Sequence, residues 1–133
     1  MCIEELVLTN LVELYLADCG LKQYPDLKML PNLYVLDVSY NGIYELGDAP
    51  KSTLSLKRLD LSGNYIMTGE HVRVLAENLK LQILDLRFNP INSRKGYRSM
   101  IISMFADLRA LDCQDISSTE KVSSSLKFLE FLY

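Results

Sequence analysis

One phrase, Leu-x-x-Leu-x-(Leu/Val)-x-x-(Asn/Cys)-x-(Leu/Ile), occurs four times in this chain of 133 residues. The copies begin at Leu11, Leu33, Leu56 and Leu81. Five fixed positions in four copies exceed what a leucine-rich composition produces by chance. The second and third apolar positions of each copy are two residues apart, so in a strand their side chains point to the same face. The phrase therefore predicts four short strands that share one apolar core.

The spacing of the copies constrains the fold further. Starts at 11, 33, 56, 81 and a degenerate fifth at 108 lie 22, 23, 25 and 27 residues apart. A strand phrase with this period resembles the leucine-rich repeat. The resemblance implies an α/β solenoid with a parallel sheet of about five strands on the concave face. It also implies 3₁₀ or short helices on the convex face and a helical cap at the C-terminus.

We predict a single domain over residues 1–133, with four repeats in 11–107 and a degenerate repeat, cap and helix in 108–133. Residues 1–10 are either a partial repeat or an N-terminal cap formed by a short helix over 2–8. If the chain begins in mid-repeat, its first strand is an open edge suited to weak self-association. The repeated amides Asn41, Asn64 and Asn89 are predicted to form an internal ladder that satisfies backbone groups where each strand turns away.

The segments between the strands differ in their patterns. The first return, around residues 24–27, is short and predicts a 3₁₀ or irregular turn. Val72, Leu75 and Leu79 recur at helical spacing, which predicts a helix over 69–79. A second helix is predicted over 96–105.

The C-terminal quarter resembles the cap of intracellular leucine-rich proteins. The similarity is carried by Tyr97-Arg98, the apolar Met100, Ile101 and Met104, Leu108-x-x-Leu111-Asp112 and Ile116. That group includes the leucine-rich regulatory subunit of protein phosphatase 1, the spliceosomal A-prime protein and ciliary or dynein-associated proteins. The resemblance implies a non-enzymatic adaptor, which binds a phosphatase catalytic subunit or another intracellular protein. The alternative that it implies is a structural scaffold protein, which is either a component of the spliceosome or the cilium or a protein that assembles with itself.

The last residues predict one more helix. Ser117-x-x-Glu120 has the form of a capping box. An apolar stripe follows at helical spacing, formed by Val122, Leu126, Leu129 and Tyr133 and widened by Phe128, Phe131 and Leu132. This helix either packs back under the cap or is an exposed surface that binds a partner or oligomerises.

The charge and the cysteine content limit which functions and which cellular compartments fit this chain. The formal net charge of −3 and the pI of about 5.1 argue against direct nucleic-acid binding. No apolar run is long enough for a membrane span. The three cysteines are an odd number without clustered spacing, so Cys19 and Cys113 are predicted to be buried, reduced thiols in a cytoplasmic or nuclear protein.

The outward strand positions predict a partner-binding concave face. Asp37, Asp60, Asp85 and Asp112 share one position in four successive strands, which predicts a column of four carboxylates with raised pKa values unless cations intervene. The column is either a common feature of strands in this repeat class or a surface that recognises a partner. The remaining candidate binding residues on this face and its rim are Glu13, Tyr15, Val35, Tyr40, Arg58, Ile83, Arg87 and Phe88.

An enzymatic role has little support in the sequence. His71 is the only histidine and belongs to the predicted convex helix, remote from the carboxylates. No nucleophile–base constellation and no glycine-rich phosphate loop can be identified. We therefore predict no catalytic residue, no cofactor and no metal.

Overall fold

The computed structural model describes residues 10–132, with side chains as far as Lys127. The sheet contains six strands that follow one another in chain order. They are β1 (Glu13–Tyr15), β2 (Val35–Asp37), β3 (Arg58–Asp60), β4 (Ile83–Asp85), β5 (Ala110–Leu111) and β6 (Gln114–Asp115). Strands β1 to β5 are parallel, and β6 closes an antiparallel hairpin with β5. The predicted parallel sheet of about five strands is confirmed, and one hairpin strand extends it.

The phrase leucines form the core. Leu36, Leu59, Leu84 and Leu111 are aligned by the strand register and are at most 1% exposed. A second column, formed by Val38, Leu61 and Leu86, is fully buried beside it. Each repeat buries its apolar face only against its neighbours, so stacking supplies the stability of the sheet.

The convex side changes along the solenoid, as the lengthening returns predicted. The first return is irregular, apart from a parallel bridge between Gln23 and Glu45. The next one contains a 3₁₀ helix, Ala49–Ser52, and the third contains α1, Gly69–Asn78. The fourth combines a 3₁₀ helix, Pro90–Ser93, with α2, Tyr97–Met104. The two predicted convex helices are therefore confirmed to within a residue or two.

A buried hydroxyl pair between the first two returns was not predicted. The Tyr24 hydroxyl and Thr53 Oγ1 are 2.9 Å apart, and both side chains are almost fully buried. Burial raises the pKa of Tyr24 to about 12, an effect that the hydrogen bond to Thr53 only partly offsets. The pair joins neighbouring returns on the convex side by a polar contact within the apolar core.

The last helix, α3 (Ser118–Leu132), packs against α2. The Arg98 guanidinium joins the two helices by donating to both carboxylate oxygens of Glu120, at 2.8 and 3.0 Å. Ser117 Oγ accepts a hydrogen bond from the Glu120 N–H at 3.0 Å, which is half of the predicted capping box. No helix within residues 10–132 is long and apolar enough to cross a membrane.

The sequence left open whether the apolar stripe of α3 packs under the cap or is exposed. Ser124 is only 2% exposed, whereas Val122 and Leu126 are 61% and 56% exposed. Ser124 therefore faces the interior, whereas the described part of the apolar stripe faces solvent. Of the two alternatives for this stripe, its described residues fit the exposed surface. The predicted side-chain positions from Phe128 to Tyr133 lie outside the described residues.

The prediction of buried thiols is also wrong. Cys19 and Cys113 are both exposed, and both are free thiols. Cys113 lies in the turn between β5 and β6 with a φ of 64°, rather than at an inward strand position. Cys19 follows Asp18, whose φ is 53°, in the turn after β1. Cys2 and the predicted N-terminal cap or partial repeat lie outside the described residues, apart from Asn10.

Candidate functional site

The asparagine ladder forms the inner border of the concave face. Asn64 accepts a hydrogen bond from the Ile43 N–H at 3.0 Å, and its amide donates to the carbonyls of Val38, Leu61 and Ser62. Asn41 and Asn89 make the same kind of contacts one repeat earlier and one repeat later. Each amide therefore binds its own turn and the preceding repeat, which confirms the predicted internal ladder.

Three aspartates form a row across the concave face. The register places Asp37 opposite Asp60 and Asp60 opposite Asp85, and we refer to these three residues as the acidic row. In each, Oδ1 accepts a hydrogen bond from the backbone N–H two residues later, at 2.9, 2.9 and 3.0 Å. This contact closes the turn after the strand, so one oxygen of each carboxylate has a local structural role.

The carboxylates of the acidic row differ in the groups that their second oxygen, Oδ2, binds. Asp85 Oδ2 accepts from Arg87 Nη2 at 2.8 Å and Nε at 3.1 Å, and from the Cys113 thiol at 3.6 Å. Burial alone would raise the pKa of Asp85, but the hydrogen bonds and the positive charge of Arg87 outweigh it and hold that pKa below its ordinary value. This carboxylate is neutralised from within the chain.

Asp60 has no such cation. Its Oδ1 accepts from the Ser62 hydroxyl at 2.6 Å as well as from the Ser62 N–H. Burial is the main cause that raises the pKa of Asp60, and the charges of Asp85 and Asp37 add to it. Within residues 10–127, Oδ2 of Asp60 and Oδ2 of Asp37 accept no hydrogen bond. These two oxygens are free to bind a donor from another molecule.

Asp112 does not continue the row, contrary to the prediction of a column of four. Strand β5 ends at Leu111, and Asp112 has a φ of 54°. Its carboxylate accepts from the Leu86 N–H and from the Tyr97 hydroxyl, both at 2.7 Å. Asp112 therefore binds a backbone N–H of the preceding repeat and holds the cap, because its strand turns into a hairpin there.

The other predicted residues surround the acidic row. Glu13, Val35, Arg58 and Ile83 are in register as a flanking row. Tyr15 is 62% exposed beside Asp37, in register with the acidic row on β1, and its hydroxyl donates to Glu13. Arg58 forms no ion pair with a described carboxylate, so of the two arginines on this face only Arg87 neutralises a member of the acidic row.

Two aromatic side chains form the rim where the strands end. Tyr40 and Phe88, which we call the aromatic rim, are 56% and 67% exposed, and their ring centroids are 6.4 Å apart. Gly63 occupies the equivalent position in the intervening repeat, and an added Cβ there would lie 2.5 Å from Cδ1 of Tyr40. The missing side chain of Gly63 therefore makes room for the Tyr40 ring. Sequence reasoning placed both rings on the rim but missed this role of the glycine.

Nothing in the geometry of the described chain supports metal or nucleophilic chemistry. Among residues 10–132, no group of three or more His, Cys, Asp or Glu side chains could hold a metal ion. His71 lies in α1 on the convex side, where its Nδ1 accepts from the Met67 N–H at 3.5 Å. What the face offers is hydrogen-bond acceptors, negative charge and exposed rings.

Comparison with known proteins places this geometry in context. The chain is 35% identical over 119 residues to an acidic leucine-rich nuclear phosphoprotein 32 family member A from Drosophila pseudoobscura pseudoobscura, a match of 86% of this chain and 44% of that protein. It is 27% identical over 120 residues to leucine-rich repeat-containing protein 51 from Bos taurus, which matches 90% of this chain and 60% of that protein. The chain thus spans about half the length of these curated relatives.

Solved structures and a family model agree with the sequence matches. A chain of the Drosophila melanogaster SNF/U2A′ complex superposes with a TM-score of 0.81 at 25% identity, which covers 87% of this chain and 67% of that one. The family model described as leucine-rich repeat matches residues 3–130. That match spans nearly the whole chain, and arrays of this repeat serve as protein-interaction modules. We conclude that this chain belongs to the leucine-rich repeat family.

Proposed function

We propose that this chain is a non-enzymatic adaptor that binds a protein partner through its concave face. The binding surface consists of the acidic row, its flanking residues and the aromatic rim. Its residues are Glu13, Tyr15, Val35, Asp37, Tyr40, Arg58, Asp60, Ile83, Asp85, Arg87 and Phe88. Asp112, a predicted member, is assigned instead to the attachment of the cap, because both of its oxygens bind groups of this chain.

The observation that carries this proposal is the pair of uncommitted carboxylate oxygens on Asp37 and Asp60. Each aspartate already uses Oδ1 within its own turn, so Oδ2 is held in a fixed direction before any partner arrives. Preorganised polar groups lose little freedom on binding. Exposed aromatic and aliphatic side chains beside them, such as Tyr15, Ile83 and Phe88, are typical of protein-binding hot spots.

The relatives support a protein partner and a nuclear location. The D. melanogaster neighbour was solved as a complex of SNF with U2A′, and the Drosophila relative is named a nuclear phosphoprotein. We therefore place this adaptor in the nucleus, with the cytoplasm as the other compartment that fits its free thiols. Regulation of a phosphatase catalytic subunit is the finer role that the cap resemblance implies.

Charge removal on the acidic row tests the proposal. Asp37→Asn together with Asp60→Asn removes two charges and keeps an Oδ1 acceptor for each turn. We expect recovery of the native partner, measured by quantitative affinity purification from the native organism, to fall about tenfold, because the partner's donor groups lose two charged acceptors. Glu77→Gln with Asp107→Asn removes the same charge from other exposed positions and serves as the control. Equal recovery by both double variants would show that the concave face is not the site.

A scaffold role through α3 is the second candidate, and the outward stripe of Val122 and Leu126 favours it. Exposed apolar residues at helical spacing are suited to packing against another helix. This candidate expects a concentration-dependent oligomer of the purified chain, which Val122→Ser with Leu126→Ser dissolves in sedimentation velocity. Ser123→Ala with Ser125→Ala, on exposed positions of the same helix, is the control. A strict monomer at high concentration would eliminate the scaffold role.

A further inference from the structure

We propose that the partner presents an arginine to the concave face, and that Asp37, Asp60 and Tyr40 receive its guanidinium group. This inference rests on the proposed function and specifies the chemistry of its ligand. It follows from a comparison between two repeats of the same chain, one of which already contains the arginine.

The fourth repeat shows the complete arrangement. Arg87 lies two residues after Asp85 and one before Phe88, and its guanidinium binds both oxygens of the Asp85 carboxylate at 2.8 to 3.1 Å. The same guanidinium carbon stands 5.9 Å from the centroid of the Phe88 ring. One planar cation thus contacts a carboxylate and an aromatic face together, which is the pairing that arginine makes best.

The second repeat has the same arrangement without the cation. Asp37 and Tyr40 occupy the positions of Asp85 and Phe88, and Ser39 stands where Arg87 would be. Tyr40 and Phe88 also share the unusual left-handed backbone, with φ of 53° and 59°. The carboxylate and the ring of the second repeat therefore project from the same backbone geometry as those of the fourth, and among the described residues no arginine is recorded against the Tyr40 ring.

The third repeat adds a second carboxylate to this place. Tyr40 leans over Gly63, so its ring lies above the third repeat, to which Asp60 and Ser62 belong. Neighbouring parallel strands are about 4.8 Å apart, so the free Oδ2 atoms of Asp37 and Asp60 fit two donors of one guanidinium fork. The ring supplies the face on which the same group stacks. Lysine, a compact point charge, would gain less from this geometry.

Short blocked peptides test the inference directly. The probe is Gly-Ser-Gly-Arg-Gly-Ser-Gly, compared with peptides that carry lysine or uncharged citrulline in place of arginine. The readout is the NMR shift of the Tyr40 ring and of the Ser62 amide in the full chain. We expect saturable shifts with a dissociation constant of roughly millimolar for arginine, binding about fivefold weaker for lysine, and no saturation for citrulline.

Variants of the chain test which residues bind the arginine peptide. Asp37→Asn with Asp60→Asn should abolish saturation, and Tyr40→Ala should weaken binding about threefold at the Ser62 reporter. Tyr44→Ala, an exposed tyrosine of the same repeat, should change nothing. Arg87→Ser empties the fourth repeat, so the arginine peptide should then shift the Phe88 ring more than it does in the native chain, where the neighbouring Tyr40 site alone binds the peptide.

The outcomes separate this inference from the proposed function. Equal shifts with arginine and citrulline, or shifts that survive loss of both carboxylates, would overturn the arginine site. If the peptides fail while recovery of the native partner still depends on Asp37 and Asp60, the concave face stands and arginine is refuted as its ligand. If recovery of the partner is also unaffected, the face itself is the wrong site.

Discussion

The asparagine ladder and the acidic row are built from side chains of nearly the same shape, four residues apart in the same repeats, and they have opposite roles. Asn41, Asn64 and Asn89 are at most 9% exposed, and every amide satisfies backbone groups of two repeats. In the acidic row Oδ1 closes the turn, whereas Oδ2 binds Arg87 in Asp85 and accepts no hydrogen bond from a described residue in Asp37 and Asp60. Periodicity in a repeat protein therefore does not distinguish structural positions from binding positions. The distinction lies in how many of the side chain's polar atoms the fold uses.

The largest expected difference is in stability. Asn64→Ala leaves the buried Ile43 N–H without its acceptor. The carbonyls of Val38, Leu61 and Ser62 each lose one of two donors and keep the other. We therefore expect the free energy of unfolding to fall by about 2 kcal/mol. Asn78→Ala, which removes a side-chain hydrogen bond to Val74 within α1, is the matched control and should cost less than about 1 kcal/mol. Urea denaturation measures both. Similar losses in the two variants would contradict the structural role of the ladder.

A smaller effect is expected in the acidic row. Asp60→Ala removes the acceptor that closes the turn at Ser62, so we expect a loss of about 1 kcal/mol by the same denaturation measurement. Asp60→Asn keeps that acceptor and removes the charge, so its stability should stay within about 0.5 kcal/mol of the native chain. If the asparagine variant lost as much stability as the alanine variant, the charge rather than the turn would be what the fold requires.

The smallest effect is a difference in pH dependence between neighbouring strands. The raised pKa of Asp60 means that its ionised form costs stability, and this cost grows as pH rises from 3.8 through the raised folded value. The pKa of Asp85 is lowered, so its ionised form contributes stability above 3.8, which is lost as pH falls through the lowered folded value. Relative to the native chain, Asp60→Asn should therefore gain stability with rising pH, and Asp85→Asn should lose it. Unfolding curves between about pH 2.5 and 7 measure this, and slopes of the same sign would contradict it.

The sequence predicted most of the fold, because each repeat presents the same local problem. Leu59 has the same neighbours as Leu36 and Leu84 one strand away, so one phrase implies the strands, the core columns and the asparagine ladder. The positions of α1 and α2 followed from helical spacing in the longer returns. Prediction failed where the repetition ends. Asp112 and Cys113 belong to a hairpin that no other described repeat contains. For α3 the sequence left two alternatives open, and only the structure exposes Val122 and Leu126.

The sequence predicted which residues form the candidate site, but only part of how their side chains are arranged. Strand alternation put the acidic row on one face, and the turn positions put Tyr40 and Phe88 on its rim. The sequence by itself determined the repeat, the sheet and the faces, because these depend on spacing along the chain. Only the tertiary structure decided that Arg87 neutralises Asp85, that Asp60 keeps an unpaired oxygen and that Gly63 admits the Tyr40 ring. The first two facts depend on the rotamers that Arg87 and Asp60 adopt within their own repeats, and the third depends on packing between repeats. Neither rotamers nor packing can be read from a residue's place in a motif.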